Sequence, residues 1–134
     1  MAKKLLSLDG VVVDIGNSAY KYALVEPQGI RLFYRTKTRP ALNQFNVPIV
    51  GLCVVPRRRQ QFERNTAVRW ITNDDVPLYA PKNVGIDRLM ALYSASTLYK
   101  VATVAVIDVG TFLTVSVMRE QTFEGGYIVP GPHT

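Results

Sequence analysis

The sequence contains one cysteine and one histidine among 134 residues, and this scarcity excludes two kinds of site. A single cysteine, Cys53, cannot form a disulfide within the chain, and its place in the apolar run 49–55 predicts a buried strand position rather than a reactive nucleophile. The lone histidine, His133, has no cysteine or histidine partner at ligand spacing, so the sequence does not support a structural zinc site. We expect His133 to belong to a frayed tail.

Long hydrophobic runs are also missing. No apolar run reaches the roughly 20 residues needed to span a bilayer, and residues 1–4 are not followed by a signal-peptide core. The sequence therefore predicts a cytoplasmic protein with no membrane partner. With 48% hydrophobic and 19% charged residues the composition is that of a folded globular chain, long enough for one compact domain but short for a two-domain enzyme.

The formal net charge of +6 suits an anionic ligand, either a nucleotide or a nucleic acid backbone. The densest positive cluster is Arg57–Arg59, followed by Arg64 and Arg69, directly after Pro56. No aromatic or groove-reading motif accompanies this cluster, so a solvated helix face is favoured and nucleic-acid binding is the alternative.

The hydrophobic pattern predicts strands joined by turns, and two helices. The strands are expected at residues 11–15, 20–25, 30–36, 49–55, 103–107, 113–118 and 123–129. Proline suits a first helical turn, which predicts a helix from Pro56 to about Trp70. The second helix is predicted at residues 86–99, where the apolar side chains follow helical spacing after Gly85.

The pattern of residues 11–25 returns at residues 105–118. Both stretches read apolar strand, aspartate, glycine, small polar residue and apolar strand, with Asp14 and Asp108 offset by 94 residues. We therefore predict an α/β fold with a duplicated mixed sheet and flanking helices, in which residues 1–101 form the first lobe and residues 102–134 begin a second, incomplete lobe. An incomplete sheet should expose apolar faces, as in a truncated protein or one completed by another chain.

The first aspartate ends a strand and precedes a turn suited to phosphate. Asp14 is followed by Gly16, Asn17 and Ser18, whose backbone amides and small hydroxyl can approach phosphate oxygens closely. Magnesium takes one or two carboxylates alongside nucleotide phosphates, so Asp14 can orient a hydrated magnesium ion. Lys21, seven residues after Asp14, can reach the same phosphates. The alternative is an ordinary Gly-Asn hairpin turn with an incidental acid.

The second aspartate repeats this arrangement. Asp108, Gly110 and Thr111 stand at an equivalent strand end, and two such turns facing one cleft could hold an ATP tail. Burying a carboxylate is costly unless it is paired or bound to a cation, so a repeated acid at strand ends favours function over accident.

The segment Gly85–Arg88 (GIDR) places an acid and a cation at the start of the second helix. Asp87 can serve as a helix cap, because anions are stabilised at the positive end of a helix. Asp87 can alternatively serve as the general base of a phosphoryl transfer, with Arg88 balancing the charge of the transition state. Spacing alone favours the cap. Near the end of the sequence, residues 125–131 (GGYIVPG) carry glycines that leave the backbone free to lie against a ligand.

Taken in order, DIGNS, YAPKNVGIDR, DVGTFLT and GGYIVPG resemble the four signature segments of type III pantothenate kinases, a family that includes proteins named as Bvg accessory factors. The segment CVVP before the arginine cluster fits the same family. The sequence departs from the family pattern at Ile86 and Phe112, where alanine is usual, at Ser18, where threonine is common, and in the spacing of Tyr79 from Gly85.

The resemblance implies phosphorylation of pantothenate by ATP, the first step of coenzyme A synthesis, on a duplicated ribonuclease-H-like fold of the actin-like ATPase class that usually forms a homodimer. It further implies that residues 14–21 bind the ATP phosphates with Mg²⁺, that Tyr79 and Gly85, Ile86, Asp87 and Arg88 hold pantothenate, and that Asp87 is the base. Asp108 would bind a monovalent cation, K⁺ or NH₄⁺, and Thr111 would contact ATP. The alternative is a non-catalytic nucleotide-binding or regulatory relative, inactive as this chain.

Overall fold

The computed structural model describes residues 8–63 and 67–132. These residues form two compact units, an amino-terminal unit that ends at Ile71 and a carboxy-terminal unit that begins at Thr72. The lobes predicted from the sequence repeat divide at residue 101 instead, and that boundary stays a prediction. Within the described residues, no helix is long and apolar enough to cross a membrane.

The amino-terminal unit is a five-stranded mixed sheet with one α-helix. Its strands are β1 (Gly10–Ile15), β2 (Tyr20–Glu26), β3 (Gly29–Thr36), β4 (Ile49–Cys53) and β5 (Arg69–Trp70), and its helix is α1 (Pro56–Glu63). The strand order is β3-β2-β1-β4-β5. Strands β1 to β3 pair antiparallel, whereas β4 pairs parallel with both β1 and β5. A mixed sheet with flanking helices is the predicted fold class, which is confirmed.

Strand β1 shows why this sheet forms. Val11, Val13 and Ile15 alternate into the core and are at most 1% exposed, whereas Val12 on the opposite face is 45% exposed. Successive side chains of a strand point to opposite faces, so the alternation buries one face only. The buried face packs with Leu42 from a short 3₁₀ turn and with the aromatic ring of Phe62 from α1.

The first helix is shorter than predicted. Its described part is Pro56–Glu63, and the predicted helical residues Arg69 and Trp70 form strand β5 beside Val50 and Gly51. The arginine-rich segment has no apolar stripe that would hold a longer helix against the core. Trp70 instead packs edge-on against Phe62, with ring centroids 6.4 Å apart.

The carboxy-terminal unit contains a three-stranded antiparallel meander and one α-helix. The strands are β6 (Thr103–Val109), β7 (Phe112–Arg119) and β8 (Thr122–Pro130), and the helix is α2 (Ile86–Tyr99), with the predicted bounds. Gly85 stands at the N-cap position of α2, and Lys100 ends the helix with a left-handed φ of 54°.

The two faces of this meander differ. One face packs against α2 and buries Ser116 and Met118. The other face carries apolar side chains that are 45% to 69% exposed, namely Ile107, Val109, Tyr127 and Val129. Residues directly opposite in an antiparallel ladder share a face, and the register Ile107–Val115–Tyr127 and Val109–Leu113–Val129 places all four together. The exposed apolar face expected of the second sheet is therefore present.

The meander β6-β7-β8 repeats the meander β1-β2-β3. Asp14 lies opposite Lys21 in the first meander, and Asp108 lies opposite Thr114 in the second. The offset between the copies is 94 residues in the first strand, as predicted, but 93 from Lys21 and Thr114 onwards. The structural reason is that the second connection is one residue shorter. The Gly16 amide donates to the carbonyl of Ala19, three residues on, whereas the Gly110 amide donates to the carbonyl of Phe112, two residues on.

The remaining register of the two meanders is the same at the 93-residue offset. Each has one register shift between its second and third strands, between Leu24 and Val25 in the first copy and between Val117 and Met118 in the second. A shared irregularity at matching positions is expected of two copies of one unit.

Candidate active site

The connection between β1 and β2, here named the Asp14 turn (residues 14–21), collects the predicted phosphate-binding residues of the amino-terminal unit. The Gly16 amide donates to the Ala19 carbonyl oxygen at 3.1 Å, which closes the turn. Asn17 and Ser18 are exposed at its tip. Because Asp14 and Val12 lie on the same face of β1, the Asp14 carboxylate points away from the core formed by the alternate residues.

Lys21 is the partner of Asp14. The Lys21 Nζ atom lies 3.3 Å from Asp14 Oδ2, and both side chains are 39% exposed. The pairing follows from the ladder, in which the two residues lie directly opposite. A half-exposed ion pair of this kind contributes at most about 1 kcal/mol to stability, so it leaves both charges available to a stronger ligand.

The Asp14 turn fits a magnesium ion that is carried by a nucleotide. In residues 8–63 and 67–132 no group of three or more acidic, cysteine or histidine side chains forms a metal-binding cluster. Magnesium bound with phosphates needs only one or two carboxylates and keeps several waters, which Asp14 alone satisfies. The exposed Asn17 and Ser18 beside it are compatible with phosphate oxygens.

The arginine cluster supplies a contact with the Asp14 turn that sequence reasoning missed. Arg58 Nη1 donates to the carbonyl oxygen of Gly16 at 2.7 Å, and the Arg58 guanidinium lies 5.0 Å from the centre of the Tyr20 ring. Arg59 lies 5.2 Å from the centre of the Trp70 ring. The predicted solvated face is therefore correct for the exposed Arg57 but not for Arg58 and Arg59. Arg64 lies outside the described residues, as does His133.

Cys53 ends β4 beside this turn and is half-buried rather than fully buried. Its Sγ donates to the Val55 carbonyl oxygen at 3.0 Å. Burial raises the pKa of the Cys53 thiol, against the opposing influence of the Val55 hydrogen bond and the nearby arginines. A raised thiol pKa agrees with a structural role for Cys53.

The connection between β6 and β7, here named the Asp108 turn (residues 108–112), is held by Gly131, the residue after β8. The amide of Gly131 donates to the Thr111 carbonyl oxygen at 2.8 Å, and Gly131 is buried against Gly110. Asp108 is exposed and lies opposite the uncharged Thr114, whereas Asp14 lies opposite a lysine. The side chain of Phe112 is 45% exposed, so the ring is not in the core.

The amino-terminal end of α2 holds Asp87 and Arg88. Because Gly85 is the N-cap, Asp87 stabilises the helix by its charge in the first turn and not as a cap. Its carboxylate folds back towards Gly85, where a Cβ would lie 2.7 Å from Asp87 Oδ1. Glycine at position 85 therefore makes room for the Asp87 carboxylate. The Ile86 side chain is 8% exposed, so any ligand contact of Ile86 would come from its backbone.

Arg88 is fixed by three neighbours. Its Nε donates to Ser116 Oγ at 2.9 Å, its Nη2 donates to the Val115 carbonyl oxygen at 3.0 Å, and its guanidinium lies 5.3 Å from the centre of the Phe123 ring. Ser116 is another residue that sequence reasoning missed. The sequence offers one indication of Ser116: it is a polar residue on the helix-facing side of the repeated strand β7.

Tyr79 joins the same group through its backbone. The Phe123 amide donates to the Tyr79 carbonyl oxygen at 2.8 Å, and the Tyr79 side chain is 76% exposed. Phe123 thus contacts both Arg88 and Tyr79, two of the residues predicted to hold pantothenate.

Asp108 lies on the same face of the meander as Ser116. The row Asp108–Thr114–Ile128 follows the row Val106–Ser116–Gly126 on that face, and adjacent rows of one face are about 7 Å apart. The carboxy-terminal unit therefore brings the Arg88 segment and Asp108 to one surface.

The glycines of residues 125–131 serve the packing of this surface. A Cβ at Gly126 would overlap the Val115 carbonyl oxygen and approach Arg88 Nη2, and a Cβ at Gly131 would overlap the Gly110 carbonyl oxygen. Gly126 and Gly131 leave room for the chain's own backbone, and Gly126 also leaves room for Arg88. Packing within the chain therefore accounts for the glycines at positions 126 and 131, and no ligand against their backbone is needed to explain them.

Comparison with known proteins gives consistent matches. The sequence model of the type III pantothenate kinase family matches residues 53–134. Curated type III pantothenate kinases from Porphyromonas gingivalis, Aquifex aeolicus and Desulfovibrio desulfuricans are 33%, 26% and 40% identical to the chain. These alignments cover 92%, 90% and 92% of the chain, but only 57%, 56% and 59% of the relatives. The chain thus spans little more than half the length of these relatives.

A solved structure shows the fold independently. A Baf family protein from Campylobacter jejuni superposes with a TM-score of 0.60 at 22% identity, over 91% of this chain and 55% of that one. The similarity shows the same fold over most of this chain.

Proposed function

Because the chain belongs to the type III pantothenate kinase family, we propose that it carries the phosphate-binding turn and part of the pantothenate site of an enzyme that forms 4′-phosphopantothenate from pantothenate and ATP. This reaction is the first step of coenzyme A biosynthesis. The observation that carries the proposal is that Arg88 bonds to Ser116, and Ser116 lies on the same face of the meander as Asp108.

Asp87 is proposed as the general base. Phosphoryl transfer to an alcohol requires an acceptor for the hydroxyl proton, and the half-buried Asp87 carboxylate beside Arg88 meets that requirement. Arg88 would hold pantothenate with the exposed Tyr79 side chain and with the backbone of Gly85 and Ile86. Its fixed guanidinium would also balance negative charge that develops on the transferred group.

Each turn is proposed to supply ATP contacts. Gly16, Asn17, Ser18 and Lys21 would bind the ATP phosphates, Asp14 would orient the magnesium ion, and Thr111 would add a further ATP contact. ATP supplies the phosphoryl group that is transferred. Asp108 is proposed to bind K⁺ or NH₄⁺, since its carboxylate is exposed and the residue opposite it is the uncharged Thr114.

We also propose that the protein forms a homodimer, is located in the cytoplasm and has no nucleic acid partner. A non-catalytic, nucleotide-binding or regulatory relative is the second candidate. The half-exposed ring of Phe112 favours it, because a large side chain stands next to Thr111 where the family usually has alanine.

The test is Asp87→Asn in the natural gene product, assayed by coupled ADP release with pantothenate. Asparagine keeps the size of the side chain but cannot accept the hydroxyl proton, so we expect turnover to fall by about 100-fold to 10,000-fold. Pantothenate affinity by calorimetry should be unchanged. Loss of the charge in the first turn of α2 should lower the free energy of unfolding by only about 0.3–1 kcal/mol.

Asp74→Asn is the matched control, because Asp74 is an exposed carboxylate in the 3₁₀ turn Asn73–Asp75. It should leave turnover at the parental rate. If Asp87→Asn also keeps that rate, Asp87 has a structural role only. If the parent releases no pantothenate-dependent ADP, the non-catalytic candidate replaces the kinase.

A further inference from the structure

The Gly16 carbonyl group is held by a side chain that comes from far along the sequence. Arg58 is 42 residues from Gly16, and its Nη1 donates to the Gly16 oxygen at 2.7 Å. The guanidinium is half-buried and is steadied by the Tyr20 ring, 5.0 Å away. A hydrogen bond from a charged donor is stronger than one between neutral groups, so this contact is a firm constraint on the turn.

Holding the carbonyl also fixes the neighbouring amide. In a trans peptide the C=O of one residue and the N–H of the next point in opposite directions. The carbonyl of Gly16 points at Arg58, so the N–H of Asn17 points away from Arg58. Asn17 lies at the exposed tip of the Asp14 turn. The Gly16 amide is already bonded to Ala19, which leaves the Gly16–Asn17 peptide as the unit that Arg58 controls.

We propose that Arg58 is a positioning residue for phosphate, which keeps the Gly16–Asn17 peptide oriented with its N–H towards the bound anion. The proposal rests on the proposed phosphate role of the Asp14 turn. Glycine accepts a wider range of backbone angles than any other residue, so the peptide after Gly16 can rotate when nothing holds it. A rotated peptide would present the Gly16 oxygen to phosphate, and the negative end of that dipole repels an anion.

A ligand-free measurement tests the contact itself. In the 134-residue chain, Arg58→Met keeps an apolar stem over Tyr20 but removes the donor, and Arg57→Met removes the same charge from an exposed neighbour. We expect the Gly16 carbonyl carbon and Asn17 amide resonances to move in Arg58→Met and to stay in place in Arg57→Met. Unmoved resonances in Arg58→Met would overturn the assignment.

Titration with magnesium and inorganic tripolyphosphate tests the consequence. The probe lacks adenine, so its binding reports on phosphate contacts only, and the Asn17 amide shift gives the dissociation constant at the Asp14 turn. We expect Arg58→Met to weaken binding by about tenfold, which corresponds to the loss of one well-oriented hydrogen bond. Arg57→Met should weaken it by less than about twofold, as expected for an exposed charge. Arg58→Lys, which keeps the charge and can still donate to Gly16, should recover part of the loss.

The outcomes separate this inference from the proposed function. Equal losses in Arg57→Met and Arg58→Met would show that general charge alone acts, and would overturn the positioning role of Arg58. Parental affinity in Arg58→Met would overturn it as well. If the parent shows no Asn17 shift with tripolyphosphate, the phosphate role of the turn is wrong, and the ligand-free spectra then show whether Arg58 still controls the peptide.

Discussion

Arg88 Nε donates a hydrogen bond of 2.9 Å to Ser116 Oγ, although the two residues are 28 positions apart in the sequence. Ser116 is 2% exposed. A buried hydroxyl that accepts from a guanidinium couples the start of α2 to the middle of β7. The position of Arg88, and with it the proposed pantothenate site, therefore depends on a residue that carries no charge.

We predict that Ser116→Ala destabilises the chain, because it leaves the Arg88 Nε–H without this acceptor. Hydrogen bonds to charged groups contribute about 1.5–3 kcal/mol, and we expect a loss in that range in the free energy of unfolding, measured by urea denaturation. Ser94→Ala, at an exposed position of α2, is the control and should change stability by less than about 0.5 kcal/mol. An equal effect of both changes would contradict a special role for the Ser116 hydroxyl.

Gly131→Ala should be more harmful than Gly110→Ala, although the two glycines face each other. The added methyl at residue 131 would overlap the Gly110 carbonyl oxygen, whereas a Cβ at residue 110 would lie at an ordinary 3.8 Å from the Phe112 oxygen. Forcing a methyl group into a packed site costs about 1–3 kcal/mol. Thermal melting of the two variants should show the larger decrease for Gly131→Ala, and a reversed order would contradict the close packing described for β8.

Cys53 should react slowly with alkylating reagents near neutral pH. Burial raises the pKa of the folded thiol, so the reactive thiolate is scarcer than in the unfolded chain. The same shift stabilises the folded state below the pKa of the unfolded thiol, and this contribution is lost as the pH rises through the folded pKa. Alkylation in buffer and in urea at one pH measures the first effect. Comparison of parent and Cys53→Ala stability at pH 7 and at alkaline pH measures the second.

The exposed apolar face of β6 to β8 should cause concentration-dependent self-association. Ile107 is 66% exposed among the apolar side chains of that face, and contiguous apolar surface favours burial against another molecule. Ile107→Lys should shift sedimentation towards the monomer. Leu98→Lys, at a side chain 73% exposed on α2, adds the same charge elsewhere and should change the sedimentation less. A parent that remains monomeric at high concentration would contradict this prediction.

Local signals predicted most of the fold. The bounds of α2 follow from its apolar spacing after Gly85, and strand β1 follows from β-branched residues before a glycine turn. Strand β5 was missed because its two residues, Arg69 and Trp70, are too few to show an alternating pattern. Their strand structure depends on pairing with β4, which is a non-local contact.

The site could be predicted in its segments but not in its connections. Asp14 and Lys21 lie opposite because a hairpin register is set locally. The contacts of Arg58 with Gly16 and of Arg88 with Ser116 join residues that only the folded chain brings together. No rule of sequence spacing predicts such pairs. The sequence therefore predicted a solvated arginine face on α1, although Arg58 on that helix is bonded to a backbone carbonyl.

The one-residue difference between the Asp14 and Asp108 turns has a consequence for engineering. Because the ladders on either side keep the same register, the two hairpin tips begin and end at matching positions, Asp14 and Lys21 in one and Asp108 and Thr114 in the other. Exchanging the tips should leave the strand registers in place, but each tip would lose the partner that holds it, Arg58 for the Asp14 turn and Gly131 for the Asp108 turn. The difference also affects how the repeat appears in the sequence. When the two copies are aligned without a gap, they match only as far as the tips, and removing one residue from the Asp14 turn brings the later strands back into alignment.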